Sequence, residues 1–238
     1  MLLMYAPGFY FDRLAAAFVR GVNKDPLLAY PPDDSLKLDC PLEALSDEDI
    51  ASIVKLGLSA GLRLIRFKQT SALPRVTKVL SILSGIEPVN LLEVGCGHGA
   101  FLWPLLNAFP NLPVTAVDKE EARIGVIKAV VRGGLERLSG AVEDATRLSF
   151  DDDSYDVVTL LEVAEHVPEA MRALEEAIRV ARRYVIISVP ARDEAPPPNT
   201  HFFNSERLTE MLRLAGATRL TIDTVQDHLI VIGRISRV

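Results

Sequence analysis

Two carboxylates and two imidazoles in the second half of the chain are the side chains best suited to acid–base chemistry. Glu162, Glu165 and His166 follow the apolar run DVVTLL, and His201 follows a proline-rich segment. If the turn after the run is helical, the spacing i, i+3, i+4 places the first three on one face. Such a group can remove a proton from a hydroxyl, or hold a divalent cation that lowers the hydroxyl's pKa. We expect His201 to join it from across a pocket.

A glycine-rich turn in LLEVGCGHGAFL indicates the binding of a nucleotide-like ligand. Gly95, Gly97 and Gly99 let the backbone turn tightly and approach a ligand, with the next helix aimed at it. Asp118 closes the following strand, where a carboxylate can accept hydrogen bonds from both hydroxyls of an adenosine ribose. With Ala100, the spacing also satisfies G-x-G-x-x-A, so these residues leave a nicotinamide dinucleotide open as an alternative.

Short apolar runs alternate with amphipathic segments from Val89 onward, which predicts an α/β fold with a parallel sheet. The predicted strands are Asn90–Val94, Val114–Val117, Leu138–Val142, Asp156–Leu161, Tyr184–Val189, and an antiparallel pair, Leu220–Asp223 and Leu229–Ile232. The predicted helices are Gly99–Ala108, Lys119–Val131, one that begins near Pro168, and one capped by Asn204 or Ser205 that ends at Gly216. Three successive prolines make Pro190–Thr200 a loop.

The first 86 residues show no strand alternation and predict a helical cap. Its helices are Phe11–Val19, a Ser46-capped helix through Leu58, and Leu73–Leu83. We therefore predict two parts, a cap over residues 1–86 and an α/β domain over residues 87–238. Within the cap, GLRLIRFKQTSALPRVTK carries five basic side chains and no acid. It could receive phosphate or RNA, but we prefer a solvated helix face because Phe67 is its only aromatic residue.

Composition narrows the class of protein. The chain has 238 residues, 49% of them hydrophobic, and a net charge of −6, which argues against non-specific binding to nucleic acid or anionic membrane. No apolar run is long enough to cross a bilayer. Cys40 and Cys96 lie far apart without metal-ligand spacing, so we predict no disulfide framework and a cytoplasmic location. Cys96 is interpreted as a small residue of the glycine turn rather than a catalytic thiol.

Five segments, in order, resemble the class I S-adenosylmethionine-dependent methyltransferases, particularly the type 11 group. They are LLEVGCGHG, VTAVDKE, VEDATRLSFDDDSYDVV, LEVAEHV and HFFNSERLTEMLRLAGA. The resemblance runs from about Val89 to the C terminus, and a dehydrogenase has no reason to show the last three segments. It implies a Rossmann-like, mostly parallel seven-stranded sheet with helices on both faces. The chain departs from the family before the fifth strand, where VARRYVI replaces a proline-glycine-glycine turn.

The resemblance also implies which residues contact S-adenosylmethionine. They are Glu93, Gly95, Cys96, Gly97, Gly99, Asp118, Lys119, Asp144, Ala145 and Leu161. The glycine turn would seat the methionine part and Asp118 the ribose. Asp144 would face the adenine amino group, with Ala145 at the ring. The turn that follows Leu161 would lie next to the methyl group.

The residues expected at the acceptor end of the site leave the acceptor, a bound metal ion and the catalytic activity open. We expect Glu162 and His166 to face the acceptor, and we expect a small molecule as that acceptor. A similar E-x-x-E-H turn with a later histidine occurs in small-RNA 2′-O-methyltransferases and ubiquinone-pathway O-methyltransferases, where it is associated with a metal. We prefer a metal-free group. One alternative is therefore a magnesium ion bound by Glu162, Glu165, His166 and His201, and another is an RNA acceptor. A catalytically idle cofactor-binding module is a third alternative.

Overall fold

The computed structural model describes residues 11–25, 34–69, 73–191 and 201–236. In this part of the chain, seven strands form one sheet: β1 (Leu91–Val94), β2 (Val114–Asp118), β3 (Leu138–Val142), β4 (Tyr155–Leu161), β5 (Ala181–Pro190), β6 (Arg219–Val225) and β7 (His228–Arg234). The helices are α1 (Asp12–Asn23), α2 (Asp47–Ser59), α3 (Pro74–Ile86), α4 (Leu102–Ala108), α5 (Glu121–Arg132), α6 (Ala170–Val180) and α7 (Ser205–Leu214). The predicted Rossmann-like fold class is confirmed.

The order of the strands defines where a ligand is expected to bind. The order is β3-β2-β1-β4-β5-β7-β6, and only β7 runs antiparallel to its neighbours. Because the chain moves outward from β1 through β2 and β3 and then resumes at β4 on the other side, the direction of winding reverses beside β1. In open α/β sheets, ligands bind at such a point, outside the carboxyl ends of the strands.

The sheet is buried on both faces, as its uninterrupted apolar strands predict. Neighbouring residues of β1 show this, since Leu91 belongs to one apolar core and Leu92 to the other. Helices α4 and α5 and the N-terminal helices cover one face, and α6 and α7 cover the opposite face. Within the described ranges, no helix is both long enough and apolar enough to cross a membrane.

Helix α1 packs on α5 through small residues that bring the two backbones close together. A Cβ atom added at Gly21 would lie 1.6 Å from the carbonyl oxygen of Ala129. One added at Gly133 would lie 1.7 Å from the carbonyl oxygen of Ala17. These distances are far below van der Waals contact, so both positions require a residue without a side chain.

The N-terminal segment shares its apolar core with the α/β part of the chain. The ring centroid of Phe67 lies 4.9 Å from that of Trp103 on α4, and Phe18 packs on the other side of Phe67 at 5.4 Å. The same core contains residues of α1, α2, α3 and β1. The division into a cap over 1–86 and a domain over 87–238 stays a prediction, and removing the cap would expose the apolar surface of α4 and α5.

Several predicted boundaries are confirmed and others shift for identifiable reasons. Ser46 caps α2 through a reciprocal capping box with Asp49, and Asn204 rather than Ser205 caps α7. The first helix of the α/β part begins at Leu102 instead of Gly99, because residues 99–101 still belong to the turn. Strand β5 begins at Ala181 and includes Pro190. The rest of the predicted proline loop, residues 192–200, lies outside the described residues.

We expect Gly21→Ala to lower the free energy of unfolding by about 1–3 kcal/mol, because the new methyl group forces α1 away from α5. Chemical denaturation measures the change. The control is Gly125→Ala on α5, where a Cβ would meet nothing within 4 Å. There we expect no loss, and a gain of up to about 1 kcal/mol from helix propensity. Equal effects of the two substitutions would contradict this description of the α1–α5 contact.

Candidate cofactor and acceptor site

A cavity of about 560 Å³ opens at the carboxyl ends of β1, β2 and β4. Its volume lies within the range of roughly 300–1,000 Å³ that is typical of small-ligand pockets. The wall contains eight of the residues selected from the sequence: Gly95, Gly97, Asp118, Lys119, Asp144, Ala145, Glu162 and His166. Further lining residues come from the turn after β4, namely Val163, Val167, Pro168 and Glu169, with Arg123 from α5.

Asp118 connects the glycine turn to the end of β2. Its side chain is almost fully buried, and Oδ2 accepts a hydrogen bond of 2.9 Å from the backbone N–H of Gly97. Oδ1 accepts a hydrogen bond of 3.0 Å from the N–H of Glu120, which is the N-cap residue of α5. Arg123 Nη1 lies 3.1 Å from each oxygen. The carboxylate therefore fixes the turn against the β2–α5 junction.

Gly95 and Gly99 are required by the path of the turn. Gly95 has φ +75°, and a Cβ there would lie 2.4 Å from a methyl group of Val163, in the turn after β4. Gly99 has φ +86°, and a Cβ there would lie 2.0 Å from Trp103 Nε1. At each position, the positive φ and the lack of space for a Cβ atom exclude a side chain. The two glycines thus let the turn after β4 and helix α4 lie close to the turn after β1.

Glu93 lies beneath the turn, buried with 3% exposure. Within the described part of the chain, its Oε2 accepts no hydrogen bond. Burial raises the pKa of this carboxyl well above its ordinary value, and the nearby charge of Asp118 raises it further. An orphaned acceptor directly below the turn fits a ligand that brings its own donor or positive charge to this end of the site.

Cys96 is buried and does not line the large cavity. Burial raises the pKa of its thiol, with further contributions from the charges of Glu93 and Asp118. The thiol therefore stays protonated at neutral pH, which disfavours a nucleophilic role. Cys40 and Cys96 are both free thiols.

The segment that carries Asp144 and Ala145 connects β3 to β4 without a helix. Asp144 Oδ1 accepts hydrogen bonds from Thr146, 2.8 Å from its N–H and 2.7 Å from its hydroxyl. These bonds, with a contribution from the charge of Lys119, lower the pKa of the Asp144 carboxyl. The carboxylate is exposed at the mouth of the cavity, ionised and held in a tight local turn.

An ion pair on α6 holds this segment in place from below. Glu176 Oε2 accepts a 2.8 Å hydrogen bond from the N–H of Leu148, and Arg179 donates to the carbonyl oxygens of Leu148 and Phe150. Arg179 also binds Glu176 directly at 2.8 Å, and this contact lowers the pKa of the Glu176 carboxyl. The wall of the cavity is therefore supported by buried charge-assisted hydrogen bonds rather than by a helix.

Glu162 is the carboxylate that lines the opposite side of the cavity, and neighbouring strands orient it. Its Oε1 accepts a 2.7 Å hydrogen bond from the hydroxyl of Ser188 on β5. Its Oε2 lies 3.2 Å from Nε2 of His228, the first residue of β7. Glu162 has φ +60°, an unfavourable backbone conformation for a residue with a side chain. Such strain is often found at functional sites.

Glu165 and His166 do not form the shared face with Glu162 that an α-helix would give. Residues Ala164–His166 make a single 3₁₀ turn, in which His166 Nε2 lies 3.8 Å from Glu165 Oε1, while Glu162 contacts Ser188 and His228 instead. Glu165 is buried with 1% exposure, and among the described residues neither of its oxygens accepts a hydrogen bond. Burial raises the pKa of its carboxyl to about 7. His166, in contrast, lines the cavity with a largely exposed ring.

His201 contacts the outside of this turn rather than the cavity. Its backbone N–H donates to the carbonyl oxygen of Glu165 at 2.7 Å, and its Nε2 lies 3.1 Å from the carbonyl oxygen of Pro168. Of the other cofactor residues predicted from the sequence, Glu93, Cys96, Gly99 and Leu161 also lie outside the cavity wall. Across the described residues, no three His, Cys, Asp or Glu side chains come together as ligands for a metal ion.

Three side chains of this site were not predicted from the sequence. Ser188 and His228 orient Glu162, and Arg123 contacts Asp118. For His228 a signal was present, since the first residue of a terminal antiparallel strand lies at the carboxyl edge of its parallel neighbours. Pro190 and His228 are indeed paired in the sheet. Nothing in the spacing of the sequence indicated Ser188 or Arg123.

Residues 92–188 match the profile of a family described as a methyltransferase domain, type 11. A phthiotriol/phenolphthiotriol dimycocerosates methyltransferase of Mycobacterium tuberculosis is 38% identical over 94 residues, 39% of this chain and 34% of that protein. A malonyl-acyl-carrier-protein O-methyltransferase of Geobacter sulfurreducens is 32% identical over 105 residues, 43% and 39% of the two chains. The matched region thus spans little more than a third of the length of either relative.

Solved structures share the fold at low identity. Magnesium protoporphyrin IX methyltransferase of Synechocystis, with bound S-adenosylhomocysteine, has a TM-score of 0.53 and 19% identity, over 68% of this chain and 82% of that one. The 4+2 cyclase SpnF has a TM-score of 0.57 and 17% identity, over 68% and 80%. The profile match over residues 92–188 and the shared fold confirm the resemblance recognised from the sequence: this part of the chain matches the type 11 methyltransferase domain, and the fold is that of the class I S-adenosylmethionine-dependent methyltransferases.

Proposed function

We propose that this chain transfers the sulfonium methyl group of S-adenosylmethionine to a small-molecule nucleophile. The observation that carries the proposal is the arrangement of one cavity at the switch point of the sheet. The glycine turn and Asp118 lie on one side, and Glu162 and His166 lie on the other. A cofactor and an acceptor can therefore be bound together in one pocket, and such positioning supplies much of the rate of a transfer between two substrates.

The residues at the first side fit S-adenosylmethionine. The buried side chain of Asp118 suits two ribose hydroxyls, since a carboxylate accepts up to about four hydrogen bonds. Glu93, buried beneath the glycine turn and outside the cavity wall, is proposed to contact the methionine part as the family resemblance implies. Asp144 and Ala145, at the mouth of the cavity, are proposed to receive the adenine as the family resemblance implies. Lys119 lies between these two regions.

Glu162 is proposed to bind the acceptor and receive its proton. When bound, the sulfonium supplies a methyl group that is attacked in line by the acceptor atom, which leaves S-adenosylhomocysteine. The acceptor atom must lose a proton during or after this transfer. Glu162 faces the cavity and is fixed by Ser188 and His228, so its carboxylate can receive that proton without first reorganising. His166, on the same wall, would orient the acceptor.

The residues do not fit a magnesium ion. Of the two predicted carboxylates, only Glu162 lines the cavity. Glu165 is buried away from the cavity wall, and His201 contacts Pro168. A magnesium site needs several oxygen ligands converging in an octahedral arrangement. We therefore propose the metal-free version of this group.

A small-molecule acceptor is supported by the names of the relatives, which include a methyltransferase for phthiotriol and one for malonyl-acyl-carrier protein. The basic stretch that could have received RNA is partly engaged within the fold. Lys78 pairs with Asp223 at 2.5 Å, and the Arg66 guanidinium lies over the ring of Phe18.

We further propose that residues 1–86 and the segment 190–200 control access of the acceptor.

We expect isothermal calorimetry to show saturable binding of S-adenosylhomocysteine and none of NAD or NADP. Asp118→Ala should weaken the binding by about 1.5–3 kcal/mol, because it removes charge-assisted hydrogen bonds to the ribose. Asp223→Ala, an ion-paired aspartate far from the cavity, is the control and should leave the affinity unchanged. Saturable binding of a nicotinamide dinucleotide with no heat from S-adenosylhomocysteine would refute the proposed function.

We expect Glu162→Gln to lower turnover by about 10²-fold or more, since proton removal by a positioned base contributes that much. His228→Gln, which acts through Glu162, should lower turnover about tenfold and shift the pH profile. The measurement is release of S-adenosylhomocysteine with an acceptor found by screening. Affinity for S-adenosylhomocysteine should not change, and the exposed Glu210→Gln serves as control. Inhibition by EDTA that magnesium reverses would contradict the metal-free proposal.

We expect Glu165→Gln to stabilise the protein by about 1–3 kcal/mol at pH 8 and to have little effect at pH 5. The folded pKa of about 7 lies above the unfolded value. Neutral Glu165 is therefore tolerated at low pH, and stability is lost as the pH rises from the unfolded pKa toward the folded value of about 7, because the unfolded chain ionises first. Urea denaturation at both pH values measures the effect, with the exposed Glu210→Gln as control. A stabilisation independent of pH would show that Glu165 does not titrate in this range.

A further inference from the structure

Arg123 donates hydrogen bonds to the acceptor positions of the Asp118 carboxylate at which the hydroxyls of a ribose would bind. Each oxygen of the buried carboxylate accepts two hydrogen bonds, one from a backbone N–H and one from Arg123 Nη1 at 3.1 Å. The backbone donors belong to Gly97 and Glu120. A carboxylate offers roughly four acceptor positions in all. In this structure they are filled by the protein itself.

Only one of these donors can leave without disturbing the fold. The N–H of Gly97 is fixed by the glycine turn, and that of Glu120 by the start of α5. Arg123 is held by its side chain alone, which is 37% exposed, and it lines the cavity. A guanidinium on a flexible stem at the edge of a cavity can rotate away at modest cost.

We propose that Arg123 is a counter-ion latch that competes with the ribose hydroxyls of the ligand for Asp118. The inference rests on the proposed binding of S-adenosylmethionine. In the ligand-free state, the guanidinium compensates the buried charge of Asp118, which lies close to a second buried carboxyl, Glu93. When the ribose enters, its two hydroxyls replace the guanidinium as donors. Arg123 therefore sets the affinity for the cofactor and favours release of the demethylated product.

The test is the affinity of the intact chain for S-adenosylhomocysteine before and after Arg123→Met, measured by calorimetry. Methionine keeps the length and helix propensity of the side chain but cannot bind Asp118. We expect the dissociation constant to fall about two- to tenfold, the range of a partly exposed ion pair. Added salt should also tighten binding to the wild type, because it screens the latch, and should not tighten binding to the variant.

Arg132→Met is the matched control, since Arg132 lies on the same helix and makes a 2.8 Å ion pair with Asp25, remote from the cavity. It should leave the affinity unchanged. If Arg123→Met binds S-adenosylhomocysteine as the wild type does, or more weakly, the latch is refuted while the proposed function stands. If the wild type itself does not bind S-adenosylhomocysteine, the proposed function fails first. Circular dichroism of both variants establishes that each is folded.

Discussion

The buried carboxylate of Asp118 holds together the elements that form the site. It joins the turn after β1, the end of β2 and the start of α5 through two backbone hydrogen bonds. A buried charge is stable only when it is hydrogen-bonded, so these contacts fix the turn as well as satisfy the carboxylate. Together with the hydrogen bonds from the N–H groups of Gly95 and Cys96 to the carbonyl oxygen of Val117, they hold the glycine turn at the distance from β2 at which both can contact one ligand.

Contacts between turns and strands also position the opposite wall of the cavity. Gly95 lets Val163 approach the first turn, so the turn after β4 is positioned against the turn after β1. Glu162, at the end of β4, is then oriented by Ser188 on β5 and His228 on β7. Four strands thus contribute to one small volume. This arrangement explains how a pocket can hold a nucleoside-like part at one end and a proton acceptor at the other.

The sequence predicted the parts of the structure that depend on local pattern. Leu138–Val142 forms the predicted third strand, and the glycine turn and Asp118 meet where parallel strands end. Parts that depend on distant partners were not predictable. Strand β5 begins three residues early because Arg182 and Arg183 both bind the buried Asp156, and charged residues at a strand start do not read as strand. The burial of Glu165 follows from a 3₁₀ turn in place of an α-helix, which spacing does not reveal.

The central claim is that Asp118 receives the ribose of S-adenosylmethionine at the switch point of the sheet. A crystal structure of the chain with S-adenosylhomocysteine tests it most directly. We expect both ribose hydroxyls within about 2.6–3.2 Å of the carboxylate, and the sulfur on the side of the cavity that Glu162 faces. Density for the ligand elsewhere on the protein, or an adenosine that leaves Asp118 bonded only to Gly97, Glu120 and Arg123, would contradict the account.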